Sequence, residues 1–334
     1  MMRKIIGISI IVSLIFPTTA HSVQGGEPVF NDPNVVSVGF DNHGGCGGFM
    51  LAPQILITAA HCTYGIKLPS LEHYKLEDNQ LYVFKANDLF SNPIKSVKIY
   101  RPSDFSWQQT GDYWSFNSDI AVAVLEQPIK FSNSVKVASK EDIDKFLLEK
   151  TKINVIGFGF QSANRSEMSK NGSKAQFELT TQEEADKIIQ EYRIKWNRKG
   201  KYSQPHHLKF PNNKVGTCDG DSGSPIFAEI GSTRFYLGAA SGVLGSDNCG
   251  ADPSWGNNGA IQSFFPAYNY IDLITLAENY VQENYRAILE EPAATKAAVP
   301  IMKKTIKCEK GKLVKKVSGV NPKCPKGYKK KYVS

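Results

Sequence analysis

The sequence predicts an all-β fold in two β-rich halves, and three observations lead to this prediction. Short apolar runs broken by Gly, Pro, Asn and Asp recur from about residue 29 to residue 140, a spacing typical of an antiparallel sandwich or barrel. A second set of such runs follows the charged stretch 140–152. The composition, 41% hydrophobic and 22% charged over 334 residues, is that of a folded chain of one large domain or two moderate ones.

The individual elements follow in chain order. Predicted strands of the first half cover residues 35–40, 49–51, 55–58, 81–84, 94–100 and 120–125, and those of the second half cover residues 153–160, 224–230, 235–243 and 260–265. Between these strands, residues 161–204 are polar and highly charged, and we expect a surface insertion with a helix at 183–196. The strongest helix pattern lies at residues 270–289, where apolar residues recur at steps of three and four.

The N-terminal end has the layout of a secretory signal peptide. Arg3 and Lys4 precede an apolar run at residues 5–16, and small residues follow as far as Ser22. This run is too short to span a bilayer, which needs about 20 apolar residues. We therefore expect a signal peptide at 1–22 and a protein that is secreted, periplasmic or on the cell surface.

The formal charge of +8 is distributed unevenly. Residues 301–334 contain twelve lysines and one acid, Glu309, whereas residues 23–300 contain 26 basic and 31 acidic side chains. The main body is therefore mildly acidic, and a basic tail makes the whole chain basic, so we predict no nucleic-acid partner. Residues 291–300 are rich in Ala and Pro and are expected to form a linker.

Six cysteines make an even number in an exported chain, so disulfides are expected, whereas neither a metal site nor a cofactor is predicted. Cys308 and Cys324 are spaced to close a hairpin in the tail. We expect this lysine-rich segment, 301–334, to bind an anionic surface such as a cell-wall polymer or lipid, with affinity that falls as salt rises. A solvated tail without a partner is the alternative.

Three polar residues stand at the ends of apolar or Gly-rich stretches, in the order His61, Asp119, Ser222. A serine hydroxyl needs a base to remove its proton as it attacks a carbonyl, and imidazole has a suitable pKa. A carboxylate must hold the imidazole in the productive tautomer. We therefore expect Ser222 as nucleophile, His61 as base and Asp119 as the orienting carboxylate, with the amides of Gly220 and Ser222 as the oxyanion hole.

The motifs around these residues resemble those of the trypsin/chymotrypsin family of serine proteases, over roughly residues 23–290 without the insertion. The matching segments are CGGF followed by TAAHC, SDIAVAVL, INVIGFGF and GTCDGDSGSP. The resemblance implies two six-stranded antiparallel β-barrels with the triad between them and a C-terminal helix. It also implies a serine endopeptidase that cleaves protein or peptide substrates through an acyl-enzyme.

The same resemblance implies roles for further residues. Cys46 would pair with Cys62, and Cys218 with Cys249. Ser241 matches the serine that hydrogen-bonds the catalytic carboxylate. A newly freed N-terminal ammonium at Val23 would pair with Asp221 and organise the site, and signal-peptide cleavage after Ser22 would release it directly.

Specificity is where the sequence departs from the family pattern. The position at the base of the specificity pocket is Gly216, where trypsin-like members carry aspartate, so we expect a preference for an uncharged residue before the scissile bond. Ser224 replaces a usual glycine. The predicted pocket residues are Gly216, Thr217, Ser241, Gly242 and Val243.

A second interpretation stays open at this point. The chain could be a catalytically silent binding or adhesive protein on a protease fold, although loss of catalysis normally appears as substitution of a triad residue and none is seen. The other histidines, His43, His73, His206 and His207, are expected on the surface.

Overall fold

The structure is a computed structural model that describes residues 23–40, 43–67, 72–85, 92–110, 113–131, 134–160, 172–195, 206–211, 215–244, 261–289, 304–310, 313–319 and 323–331. The chain divides into two compact units, unit 1 (Met1–Asn284) and unit 2 (Tyr285–Ser334). The expected signal peptide and linker lie outside the described residues. None of the helices that the structure describes combines the length and apolar character required to cross a bilayer.

The first half of unit 1 consists of strands and short turns. Its strands are β1 Glu27–Val29, β2 Val35–Phe40, β3 His43–Ala52, β4 Ile55–Thr58, β5 Tyr64–Lys67, β6 Glu72–Lys75, β7 Tyr82–Lys85, β8 Ile94–Tyr100, β9 Ser106–Thr110, β10 Tyr113–Asn117 and β11 Ala121–Leu125. Six of them close an antiparallel barrel in the order β11–β4–β3–β2–β7–β8. The hairpins β5–β6 and β9–β10 form separate two-stranded sheets.

The core explains why this barrel forms. Every position of β4 and of β11 is buried, and their side chains are aliphatic or small except for Thr58. Val38, Met50, Leu56, Val83 and Ala123 come from five of the strands and pack into one cluster. Burial of apolar surface at about 25 cal/mol per Å² is the main force that holds such a closed sheet together.

The second half forms another closed barrel with helices around it. Its elements are β12 Val135–Val137, α1 Lys140–Leu148, β13 Ile153–Gly157, β14 Gly172–Thr180, α2 Gln182–Lys195, β15 His206–Lys209, β16 Pro225–Ile230, β17 Thr233–Leu244, β18 Ile261–Pro266 and α3 Ile271–Leu289. The ring runs β14–β13–β16–β17–β18–β15 and closes because β15 pairs back with β14. The prediction of an all-β fold with two six-stranded barrels and a C-terminal helix is confirmed.

Two sequence expectations are wrong in this half. Residues 172–180 were expected in a surface insertion, but they form β14, which pairs with both β13 and β15 in the barrel wall. His207 was expected on the surface but is only 1% exposed, because β15 lies between β14 and β18. Burial lowers the pKa of His207 to about 4. The neighbouring His206 is half-buried.

Unit 2 contains a small three-stranded antiparallel sheet in the order β20–β19–β21. Its strands are β19 Lys304–Lys310, β20 Leu313–Gly319 and β21 Lys329–Lys331. A disulfide joins Cys308 to Cys324. Because Cys308 is a buried residue of the central strand, the bond fixes the 323–328 segment to the sheet.

Candidate active site

His61 and Asp119 meet where two strands of the first barrel end. His61 lies in a 3₁₀ turn, Ala60–Thr63, that follows β4, and Asp119 lies just before β11, the partner of β4. The His61 Nδ1 atom lies 2.7 Å from the Asp119 Oδ2 atom. A disulfide from Cys62 to Cys46 on β3 ties the turn to the barrel.

The buried carboxylate of Asp119 has three hydrogen-bond partners. Besides His61 Nδ1, the backbone amide of His61 donates to Oδ1 at 2.8 Å, and the Ser241 hydroxyl donates to Oδ2 at 2.6 Å. Asp119 is completely buried, and hydrogen bonds compensate for the loss of water around a carboxylate. The arrangement favours the tautomer with a proton on Nδ1, which leaves Nε2 of His61 able to accept a proton.

The loop that carries Ser222 packs directly against the segment before His61. The Gly47 amide donates to the Ser222 carbonyl at 2.7 Å, and the Gly223 amide donates to the Ala240 carbonyl at 2.7 Å. Gly223 has a φ of +77°, and a Cβ atom there would lie 2.3 Å from Thr58 Oγ1. Only glycine fits this close approach, which brings Ser222 beside the end of β4.

Two backbone N–H groups of this loop are available to bind a substrate atom. The amides of Asp221, Gly223 and Ser224 donate to carbonyl oxygens. Among the residues that the structure describes, the amides of Gly220 and Ser222 have no protein acceptor. Gly220 has a φ of +88°, which turns its peptide relative to its neighbours. Two such amides are the elements of an oxyanion-binding site.

Asp221 points away from Ser222 into the second barrel. Its two carboxylate oxygens accept hydrogen bonds from the amides of Gly159 and Cys218, each at 2.8 Å. Burial raises the pKa of Asp221 to about 7 despite these bonds. Val23 is also completely buried and belongs to the core cluster of the second barrel.

The predicted pocket residues lie next to a glutamine that the sequence analysis did not identify. The Thr217 hydroxyl donates to Gln262 Oε1 at 2.5 Å, and Gln262 Nε2 donates to the Gly242 carbonyl at 3.0 Å. Gly216 is buried and its amide donates to the Gln24 carbonyl at 3.1 Å. Thr217, Gln262 and Gly242 therefore bring uncharged polar groups to this predicted pocket position.

Some predicted features remain outside the described residues. Val243 is half-buried at the end of β17, and the segment that follows it is not described. Cys218 is disulfide-bonded, whereas Cys249, the partner that the resemblance implies, lies outside the described residues.

Aromatic and polar neighbours of the histidine were also missed by sequence reasoning. The Phe116 ring stacks on the His61 ring with centroids 4.6 Å apart. Asp104 accepts hydrogen bonds from Ser118 Oγ at 2.7 Å and from Asn117 Nδ2 at 3.3 Å, just before Asp119. No periodicity or motif in the sequence connects these residues, because the contacts arise only when β10 folds back.

One group of potential metal-binding atoms occurs in the described part of the chain. It consists of Cys46, His61 and Cys62. The two sulfur atoms are bonded to each other, so they are not thiolates. Thiolate is the form in which cysteine binds a metal.

Comparisons with known proteins agree with this architecture. A family model described as Trypsin matches residues 23–264. The chain is 22% identical over 194 residues to the transmembrane protease serine 11G of Rattus norvegicus, which covers 58% of this chain and 41% of that protein. It is 26% identical over 139 residues to the vitellin-degrading protease of Bombyx mori, which covers 41% of this chain and 48% of that protein. The alignments therefore span less than half of each relative.

Proposed function

Because the chain belongs to the trypsin family, we propose that it is a secreted serine endopeptidase in which His61, Asp119 and Ser222 form the catalytic triad. The observation that carries the proposal is the fully buried Asp119 carboxylate, which holds His61 at 2.7 Å beside the loop of Ser222. The disulfides Cys46–Cys62 and Cys308–Cys324 are in keeping with an oxidising, extracellular compartment.

The proposed mechanism begins with attack of Ser222 Oγ on the scissile carbonyl carbon of a protein or peptide. His61 Nε2 takes the hydroxyl proton during the attack and later gives it to the leaving amine. Asp119 keeps the imidazole oriented and stabilises the imidazolium. Water then hydrolyses the acyl-enzyme by the reverse sequence of proton transfers.

The amides of Gly220 and Ser222 would stabilise the negative charge of the tetrahedral intermediate. They have no other acceptor in the described part of the chain, so they can bind the oxyanion without breaking an internal bond. One such donor contributes about 3 to 4 kcal/mol of transition-state stabilisation.

We propose that the site is completed when cleavage frees the amino group of Val23. The resulting ammonium would pair with Asp221, whose burial otherwise disfavours its charge. Such a pair would keep the carboxylate between the amides of Gly159 and Cys218, and so hold the adjacent Ser222 loop.

The proposed substrate preference is an uncharged residue before the scissile bond. Gly216 supplies no carboxylate, and Thr217, Gln262 and Gly242 supply only neutral polar groups. A substrate arginine or lysine would therefore lose hydration without gaining an ionic partner. We also propose that the lysine-rich unit 2 binds an anionic surface.

The Ser222→Ala variant tests the catalytic proposal. We expect it to lose at least about 10⁴-fold in kcat while it keeps the unfolding transition of the wild type, because the hydroxyl supplies chemistry rather than packing. Ser232→Ala, which changes an exposed serine in a turn, is the matched control. Labelling with a diphenyl phosphonate should follow the same pattern. If the wild type neither hydrolyses a peptide library nor takes the label, the chain is a catalytically silent binding protein.

A further inference from the structure

Unit 2 exposes two aliphatic residues that are adjacent in sequence, Leu313 and Val314, at the start of β20, the tip of its hairpin. Successive strand residues point to opposite faces, so they flank the two sides of the strand. Leu313 opens β20 and pairs in register with Lys310, the last residue of β19. Leu313 is 64% exposed and Val314 is 52% exposed. Cys308 on the central strand is fully buried, whereas Leu313 and Val314 are exposed and so contribute little to the interior of the sheet.

Five lysine side chains near this tip are exposed. They belong to Lys310, Lys315, Lys316, Lys326 and Lys329. A Cβ atom on Gly327 would lie 3.6 Å from the Lys310 Nζ atom, which brings the 323–328 segment close to the tip. Glu309 is the one acidic residue of segment 301–334.

Covalent and local contacts hold this arrangement in shape. The Cys308–Cys324 disulfide fastens the 323–328 segment to the central strand. The Lys315 ammonium lies over the Tyr328 ring, 5.4 Å from its centroid. The aliphatic pair and its lysines are therefore presented by an ordered hairpin rather than by an extended tail.

We propose that this hairpin tip docks on an anionic phospholipid bilayer, with Leu313 and Val314 in the interfacial layer and the lysines at the headgroups. Bilayer interfaces bind surfaces that combine apolar side chains with basic ones. A soluble polyanion would use the lysines alone and would leave the aliphatic pair in water. Segment 301–334 has twelve lysines and no arginine, which suits a diffuse negative surface better than bidentate binding of single phosphates.

The test uses the full chain and sedimentation with phosphatidylcholine vesicles, with and without phosphatidylglycerol. We expect binding only to the anionic vesicles, weakening as salt rises. Leu313→Gln combined with Val314→Gln should reduce the partition coefficient about tenfold, through loss of apolar burial. Lys315→Gln combined with Lys316→Gln should reduce it about 25-fold, roughly fivefold for each charge.

Matched controls come from exposed residues of unit 1. Leu148→Gln changes an aliphatic side chain that is 84% exposed, and Lys130→Gln combined with Lys187→Gln removes two exposed charges. Both controls should bind within about twofold of the wild type, on the expectation that surface residues outside the site contribute little. A non-reducing peptide map that retains the Cys308–Cys324 bond verifies that each unit 2 variant has folded.

Three results would overturn the proposal. The first is absence of binding to anionic vesicles, and the second is wild-type binding by the Leu313/Val314 variant. The third is binding of soluble polyphosphate that is as tight as binding to the anionic vesicles and that the aliphatic substitutions do not weaken. The last result would identify a soluble polyanion as the partner. The proposal does not depend on catalysis, and hydrolysis of a small peptide substrate reports separately on the proposed endopeptidase.

Discussion

Two fully buried carboxylates of unit 1, Asp119 and Asp221, differ in their hydrogen-bond partners. Asp119 accepts three hydrogen bonds, one of them from the His61 side chain. Asp221 accepts two, both from backbone amides, and burial raises its pKa to about 7. In the part of the chain that the structure describes, no cationic side chain pairs with Asp221. If the proposed pair with Val23 forms, it depends on whether the Val23 nitrogen is an amide or a free ammonium.

The titration of Asp221 predicts different pH responses for two forms of the chain. In the uncut form the folded pKa of about 7 exceeds the ordinary value of 3.8, so the folded state binds more protons than the unfolded state between these pH values. Its free energy of unfolding should fall by about 2 to 3 kcal/mol from pH 5 to pH 7.5 through this group. In the form that begins at Val23, the ammonium should remove this fall.

Urea denaturation of both forms at the two pH values provides the measurement. Asp221→Asn in the uncut form is the control, because it removes the titrating group. His207, whose lowered pKa of about 4 costs stability as pH falls from 6.5, is present in both forms and cancels in the comparison. Identical pH dependence in the two forms would contradict the pairing, as would full activity of a form that retains residues ahead of Val23.

At the scale of single elements, the strands differ in how visible they are in the sequence. The strands β4 and β11 appear as apolar runs because all their positions are buried. In β14, Ala175, Phe177 and Leu179 alternate with charged and amide side chains, and the high charge of segment 161–204 hid this period of two. The helix α1 begins with a capping box formed by Ser139 and Asp142. This motif is a sequence signal for a helix start, although the high charge of segment 140–152 masks it.

The residues of the candidate site also differ in whether the sequence predicts them. His61, Asp119 and Ser222 lie in short, distinctive sequence motifs, so the sequence alone predicts them. Gln262 lies on β18 and pairs with Val243 on β17 and Leu208 on β15, which are distant in the chain, whereas Phe116 lies on β10 of the local hairpin β9–β10. Their positions depend on strand register, which sequence spacing alone does not specify.

The end of β10 gives a prediction about positioning. Asp104 holds Asn117 and Ser118, and Ser118 adopts a φ of +51° immediately before Asp119. Asp104→Ala should release this strained turn, which costs about 1 to 3 kcal/mol to maintain, and so allow Asp119 to shift. We expect kcat to fall about tenfold with little change in KM.

Steady-state kinetics over a pH range would measure this effect. Asp104→Asn, which can still accept a hydrogen bond from Ser118, should recover most of the activity. Lys130→Ala, on an exposed position of the same half, serves as the control. A change confined to KM would mean that Asp104 contributes to substrate binding instead.

At the scale of the whole molecule, the two compact units differ in net charge. Residues 23–300 carry five more acidic than basic side chains, whereas residues 301–334 carry eleven more basic than acidic ones. The boundary between the two compact units at Asn284 and Tyr285 lies inside α3. Residues of the proposed catalytic site all precede that boundary, whereas those of the proposed lipid-binding tip all follow it.

This partition predicts that the two proposed functions can be separated. A chain that ends at Pro300 retains all of the described residues of unit 1 and the whole of α3, so its kcat/KM for a small peptide should lie within about twofold of the full chain. The same chain should no longer sediment with anionic vesicles. Peptide hydrolysis and vesicle sedimentation of one preparation measure both effects, and loss of hydrolysis on truncation would contradict the separation.

The glycines around Ser222 determine how this site can change in the course of evolution. A Cβ atom at Gly47, Gly157 or Gly223 would lie within 2.4 Å of a neighbouring atom, so these positions tolerate no side chain. At Gly242, one of the predicted pocket residues, the nearest atom would be Ser263 Oγ at an ordinary 3.5 Å. Random mutagenesis of this protein should therefore yield altered selectivity from Gly242 and only inactive clones from the other three, so the proposed chemistry is constrained while substrate choice remains adaptable.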